Sequence, residues 1–292
     1  MPSAFHPFRT PPPEPGLPLS ALPQGRRTRR RAGLLILLAA WTVHACAGGD
    51  AGTGDAPGER SLSPAEAVLR TAIETHGGDA FRDIHITFLF RDAEFEVTRR
   101  SGIFRYQRTR TDPEGRTVRE VMDNDGIRRY LDGEEVPLDR HEQLALDTAV
   151  NSVVYFGFLP FRLDDPAVRA RLLEDGRMEG EVYRRVEVTF TEEDGGQDWE
   201  DRFVYWIHAD AGTLDYLAYS YVRGEGGSRF RKAVNRREVG GLLIQDYENY
   251  AGDVERLEDY EAGFHDGALR LLSMVELEEV EVEVGPPPSR PL

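Results

Sequence analysis

Cysteine occurs once in the 292 residues, at Cys46, so no disulfide can form within the chain and its fold rests on packing. Lysine is as scarce: Lys232 is the only one among 36 basic residues. The longest apolar run, residues 32–43, has 12 residues, short of the roughly 20 that a membrane-spanning helix needs. Catalytic signatures are missing as well. His141-Glu142 is followed by Gln143-Leu144-Ala145 and not by a second histidine at zinc spacing, and neither Ser220 nor Ser228 sits in a Gly-x-Ser-x-Gly elbow. The glycines of 48–54 do not lie between a strand and a helix, as a phosphate loop requires. Five histidines follow Cys46, at 76, 85, 141, 208 and 265, too scattered to propose a metal triad. No cofactor is expected. The first 46 residues hold six of the 36 basic and one of the 52 acidic residues, leaving 30 against 51, net −21. A chain of that charge offers no positive track for nucleic acid.

What is present at the start is an ordered set of signals. Arg26, Arg27, Arg29, Arg30 and Arg31 form a basic block, residues 32–43 an apolar core, and Val43-His44-Ala45-Cys46 closes it. This resembles the lipobox of bacterial lipoproteins, with His44 in place of the usual small or hydroxyl residue. The resemblance implies lipidation of Cys46, a bilayer as partner, and a place in the cell envelope, on the outer membrane facing the periplasm or the cell surface. Residues 1–46 are therefore expected to be leader and signal peptide. Residues 47–60, rich in Gly, Asp and Ala, read as a flexible tether. Residues 61–285 read as a single β-rich domain, and residues 286–292 as a disordered tail.

The domain opens on Ser63-Pro64-Ala65-Glu66, with a serine N-cap, proline at the first helical position and glutamate three residues after the cap. Val68, Leu69, Ala72 and Ile73 fall on one helix face, and Gly77-Gly78 stops it. Period-two alternation follows from Ile84 to Leu131, broken at Asp112-Pro113-Glu114-Gly115, Asp123-Asn124-Asp125-Gly126 and Asp132-Gly133. Residues 137–158 lose the alternation and read as helix up to Pro160, and residues 166–173 read as a second short helix after Asp165. Alternation returns at Gly180 and runs to Tyr250, with a turn at Glu193-Asp194-Gly195-Gly196. Residues 268–277 are apolar enough to dock, and Val280, Val282 and Val284 alternate with glutamates as an edge strand would.

Several blocks are familiar: His76-Gly77-Gly78, Asn151-Ser152-Val153-Val154-Tyr155-Phe156, Leu159-Pro160-Phe161, Asp215 to Tyr221, Arg229-Phe230-Arg231, Asn235-Arg236 and Gly240-Gly241. They resemble an uncharacterised family of envelope lipoproteins of Bacteroidota and related phyla, over about residues 63–250. The plan of one helix and a long meander interrupted by helices is similar to the half-open barrel of periplasmic lipoprotein carriers. The expected fold is thus α+β: a long, curved, half-open antiparallel sheet with an N-terminal helix and a central helical insertion packed on it. Phe88, Phe104, Tyr106, Phe203, Tyr205 and Tyr219 line either a groove or a plain core.

Three features compete for a functional role. Asp123 and Asp125 read first as a plain hairpin turn, with calcium-like spacing but without the closing glutamate of a full ion loop. His76 faces a ligand or simply ends a helix. The run Arg229 to Arg237 reverses the local charge. If it is one strand, Arg229, Arg231, Asn235 and Arg237 share a face with Ala233. They either pair with Asp201, Asp215 or Asp246, or clamp a carboxylate, phosphate or lipid headgroup. Candidate ligand contacts are Arg229, Arg231, Asn235, Tyr219, Tyr221 and His76, with Asp215 and Asp246 as a polar centre. Three functions stay open: a non-catalytic lipoprotein that binds or carries a lipid or other amphipathic molecule, a structural or assembly component of the envelope, and a hydrolase.

Overall fold

The computed structural model describes residues 61–191, 200–222 and 226–285. The leader, Cys46, the tether, the turn at 193–196 and the C-terminal tail lie outside the described residues. Helix α1 (Pro64–Thr75) begins with the expected capping box: the Glu66 N–H donates to the Ser63 hydroxyl at 3.3 Å, and the Ser63 N–H to Glu66 Oε2 at 2.7 Å. Its buried face carries Ala65, Leu69, Ala72 and Ile73.

A meander of six strands follows: β1 (Ile84–Phe90), β2 (Ala93–Arg100), β3 (Ile103–Thr111), β4 (Thr117–Asp123), β5 (Gly126–Leu131) and β6 (Glu134–Val136). Helix α2 (Arg140–Gly157) interrupts it, started by an Asp139–Glu142 capping box. The chain then forms β7 (Val168–Leu172), β8 (Gly176–Met178), β9 (Glu181–Phe190), β10 (Arg202–His208), β11 (Leu214–Tyr221), β12 (Gly227–Val239) and β13 (Leu242–Ala251). A short helix α3 (Tyr260–His265) leads into β14 (Arg270–Val275) and β15 (Glu278–Val284).

The architecture is α+β, with open antiparallel sheet that does not close into a barrel. Among the described residues the strands form two ladders, in the orders β15-β1-β2-β3-β4-β5-β6 and β14-β13-β12-β11-β10-β9-β7. The last strand returns to the first, Ile84 opposite Val284 and Ile86 opposite Val282, and is an edge as its one wet face implied. At the β12–β13 turn, Gly240 has φ +55°, and a Cβ there would lie 2.7 Å from Val282 of β15. Only glycine lets the two ladders meet so closely.

Two segments differ from the sequence reading. Residues 166–173 do not form a helix; Val168–Leu172 is a strand paired with β9, Ala170 opposite Val188. Asp165-Pro166 mimics a helix start, but pairing with β9 and an ion pair from Arg171 to Glu187 override that local preference. The apolar residues 268–277 do dock, as β14 beside β13.

Helix α2 holds the core together by burying two faces. Leu146, Val150 and Val154 pack with Phe88, Phe95, Val97 and Tyr106 of the first ladder. Tyr155 and Phe156 pack with Phe203, Tyr205, Leu217 and Tyr219 of the second. Of the six aromatic residues singled out in the sequence, five are fully buried in these clusters and Phe104 is partly so. The second ladder is covered on its other face too, where Trp206, Tyr216 and Phe230 meet Leu257 and Tyr260. That double burial explains why β10 reads as an unbroken apolar run.

Candidate functional site

The basic strand is where the expected site residues separate. Within β12, Arg229 pairs with Tyr219 and Arg231 with Leu217, so these arginines do share a face with Ala233. The register then slips between Val234 and Arg237, and Asn235 takes φ +49°. This bulge overturns the expected grouping of Asn235 and Arg237 with Arg231. An extra residue re-aims everything after it, and asparagine tolerates the left-handed conformation that the bulge needs. Asn235 is exposed, and its carbonyl accepts from Arg237 Nη1 at 2.9 Å.

Past the bulge each basic group finds an acid. Arg236 pairs with Asp215, which also accepts from Tyr183 Oη at 3.0 Å. Arg237 Nη1 is 3.2 Å from Asp246 Oδ2, and Asp246 Oδ1 accepts the Leu277 N–H at 3.0 Å. Before the bulge, Lys232 reaches Glu179 at 2.8 Å. Asp215 and Asp246 are thus structural counter-ions. Asp201, the third acid considered, is buried and belongs to neither of these two arginine pairs.

His76 is fully buried at the end of α1, and both ring nitrogens serve the backbone. The Leu214 N–H donates to Nε2 at 3.2 Å, which places the ring proton on Nδ1, 3.2 Å from the Leu243 carbonyl. Burial lowers its pKa to about 4, against the raising effect of the Leu243 contact. Its own carbonyl accepts from Leu243 N at 2.9 Å, and the neighbouring Gly77, at φ +129°, lies against the Gly241 carbonyl. The two double-glycine motifs therefore meet each other, pinning α1 to β11 and β13. Asp123 is likewise occupied: its carboxylate pairs with Arg128 and Arg105 and accepts the Asp125 N–H at 3.0 Å. Asp125 is exposed on the same hairpin turn.

Arg231 is different. It is 1% exposed, and Nη2 donates to Tyr219 Oη at 3.3 Å, while Nε and Nη1 have no hydrogen-bond partner. Among the described residues it forms no ion pair. Its guanidinium carbon lies 4.2 Å from the Phe156 ring centre and 5.4 Å from that of Tyr219. Two aromatic rings therefore take the place of a counter-ion, with π faces that attract a cation but do not neutralise it. The charge is felt nearby: burial pushes the Tyr247 hydroxyl up to about 12, against the lowering effects of the Gln245 hydrogen bond and of Arg231.

Arg231 forms part of the floor of a crevice between the end of α2 and the edge of the second ladder. Phe90, Val153, Phe156, Val275 and Leu277 supply most of its walls. The open space is about 20 Å³, room for one water molecule. Arg229 serves a different place. Its guanidinium lies 5.5 Å from the Tyr221 ring and borders a polar cleft of about 450 Å³ with Arg202, Ser228 and Arg256. A third cleft, about 550 Å³, lies between α1 and the β2–β3 turn and is lined by Arg70, Asp79, Arg99 and Asp164. Burial and neighbouring Asp165 raise the Asp164 carboxyl above its ordinary range.

The sequence reading missed the α2 side of the crevice. Phe156 belongs to one of the familiar blocks, and its place on an apolar helix gave no sign that it caps a cation.

A LolA superfamily protein from Nitrosomonas europaea is similar in structure, with 11% identity over 76% of this chain and 92% of that one, at a TM-score of 0.43. A DUF1329 family protein from Desulfovibrio piger has 11% identity, coverage of 77% and 95%, and a TM-score of 0.37. A putative outer membrane lipoprotein-sorting protein domain from Vibrio parahaemolyticus has 11% identity, coverage of 63% and 86%, and a TM-score of 0.35. At TM-scores below 0.5 these likenesses leave the function to be argued from this chain's own residues. No curated protein matches the chain. Residues 60–277 match the family of unknown function DUF6503. The chain belongs to that family.

Proposed function

We propose that this chain is a lipid-anchored envelope protein, held to the membrane through Cys46, whose domain binds a hydrophobic or amphipathic ligand without chemical change. One observation carries the binding reading: Arg231 is buried against aromatic rings with two of its nitrogens unpartnered and, among the described residues, no acid paired with it. A fold retains such a group at a cost of several kcal/mol, about the penalty for a buried ion that is not repaid by a partner. A ligand that brings an acidic group and an apolar body relieves that cost. The polar residues first considered for hydrolysis, Asp215, Asp246 and His76, are each tied into structural contacts.

A filled core favours the second reading, a structural or assembly role, because α2 occupies the space between the ladders. Leu271 and Met274 on edge strand β14 are exposed and offer a contact surface for it.

Native mass spectrometry on the chain purified without detergent separates the two. A reproducible retained amphiphile supports the binding role, and a clean apo mass across preparations moves the assignment to assembly. The anchor has its own test. Cys46→Ser is expected to release the protein from membranes without detergent, and continued dependence on detergent sinks the anchor.

A further inference from the structure

Resting on that binding role, we propose that the ligand is a monocarboxylate on a single alkyl chain. Its head sits on Arg231, and its tail lies beneath the end of α2 along Val153, Phe156, Val275 and Leu277.

The charge count comes first. The buried part of the site holds one positive charge, Arg231, and no counter-ion among the described residues; the crevice's other cation, Arg91, is exposed to water, which screens it. A carboxylate brings one negative charge and leaves the buried pair neutral. A phosphate monoester brings about −1.5 to −2 and leaves an excess charge in the apolar interior.

Shape is the second constraint. Phe156 covers the guanidinium at 4.2 Å and one N–H goes to Tyr219, so the remaining donors lie on Nε, Nη1 and the rest of Nη2. These donors suit a flat, two-oxygen acceptor approaching in the guanidinium plane.

The walls supply the third. Five apolar side chains surround the crevice, while Ser152 and Arg91 are its other polar residues. The glycerol and ester oxygens of a diacyl lipid would find few partners there, and burying them unpaired is unfavourable.

Space sets the last. The crevice has room for about 20 Å³, and Gly157 packs so closely on Leu277 that a Cβ would stand 3.2 Å from its methyl. Any ligand enters by displacing the last turn of α2, and one chain demands the smallest displacement.

The test uses the full chain, made by cell-free synthesis without membranes so that Cys46 carries no lipid. Palmitate, hexadecanol, lysophosphatidate and phosphatidylglycerol each compete for a bound fluorescent fatty acid. Wild type, Arg231→Met and Arg231→Lys are compared, with near-ultraviolet circular dichroism to confirm that each variant is folded. Palmitate is expected to bind at least ten-fold more tightly than hexadecanol in the wild type. Arg231→Met should abolish that preference without weakening hexadecanol, and Arg231→Lys should keep part of it. Equal binding of palmitate and hexadecanol overturns the carboxylate head but leaves the binding role standing. Preference for lysophosphatidate or phosphatidylglycerol overturns it in favour of a phosphate lipid. If none of the four binds and native mass spectrometry finds no retained amphiphile, the binding role falls together with the carboxylate.

Discussion

Replacing Arg231 by methionine is expected to stabilise the ligand-free protein, the reverse of what removing a fully buried, hydrogen-bonded side chain ordinarily does. The guanidinium is 1% exposed, lacks an acid among the described residues, and leaves Nε and Nη1 unbonded. Holding an unpaired ion in that setting costs several kcal/mol. Against this stand two aromatic contacts, at 4.2 Å to Phe156 and 5.4 Å to Tyr219, together about 2 kcal/mol in a desolvated site. The Tyr219 hydrogen bond at 3.3 Å adds about 1 kcal/mol. Methionine keeps most of the volume and its sulfur packs well on aromatic rings. The net expectation is a gain of about 1–4 kcal/mol, or roughly 2–4 °C in melting temperature per kcal/mol for a domain of this size. Urea titration followed by circular dichroism reads it directly, with ligand removed by delipidation beforehand. A loss of 2 kcal/mol or more would refute the reasoning. It would mean that the cation contributes to the fold itself and that its burial signals no ligand.

Two other perturbations probe the framework around the site. His76 has a folded pKa of about 4 through burial, below the unfolded value of about 6.5. The unfolded chain therefore takes up its proton first as pH falls. Stability is full above pH 6.5 and declines toward pH 4, by about 3 kcal/mol from this residue. Unfolding curves at pH 7 and pH 4.5 should show the decline, and His76→Gln should flatten this part of it at the cost of lower stability at neutral pH. Glu120 is fully buried between Arg108 and Arg129, with Arg129 Nη2 at 2.9 Å. Glu120→Gln leaves two cations against a neutral amide and is expected to lose about 3–5 kcal/mol, and a loss below 1 kcal/mol in a urea titration would show that water reaches the pair.

Where the sequence pattern was locally faithful, as at the Ser63 capping box and the alternation of Ile84, Ile86 and Phe88, the element followed. Asp165-Pro166 misled because its preference for a helix start is local, whereas the partner of Val168–Leu172 lies in β9. Asn235 did carry a signal: an asparagine inside an otherwise extended run is a residue that tolerates φ > 0, as a bulge requires. Faces assigned by strict alternation were right up to Ala233 and wrong after it for that reason. The partners of the arginines were half legible. Asp215 and Asp246 were named from opposite charge alone, yet which arginine each would take depended on the bulge. That Arg231 would be buried without an acid among the described residues follows from register and from α2 lying across it, and neither is written in the spacing of residues.

The placement of that unpaired charge bears on how a ligand could be admitted to a core that is already full. Helix α2 is fixed at its start, where the Asp139–Glu142 box satisfies its first N–H groups and Glu142 meets Arg129 at 3.3 Å. Its middle turns, through Leu146 and Val150, are sealed in the first ladder's core. Its last turn ends at Gly157 and Phe158, and there Phe156 covers the cation. The apolar burial that resists opening runs from Leu146 to the end of the helix, and the unfavourable burial of charge sits at that same end. Exposing Phe156 alone would cost about 2–3 kcal/mol of apolar contact. That is no more than the several kcal/mol that an acidic partner at Arg231 would return. On the proposed binding role, an opening confined to Phe156 is therefore offset by a charged ligand and not by a neutral one of the same length, so that selectivity would lie in one arginine rather than in the shape of a cavity.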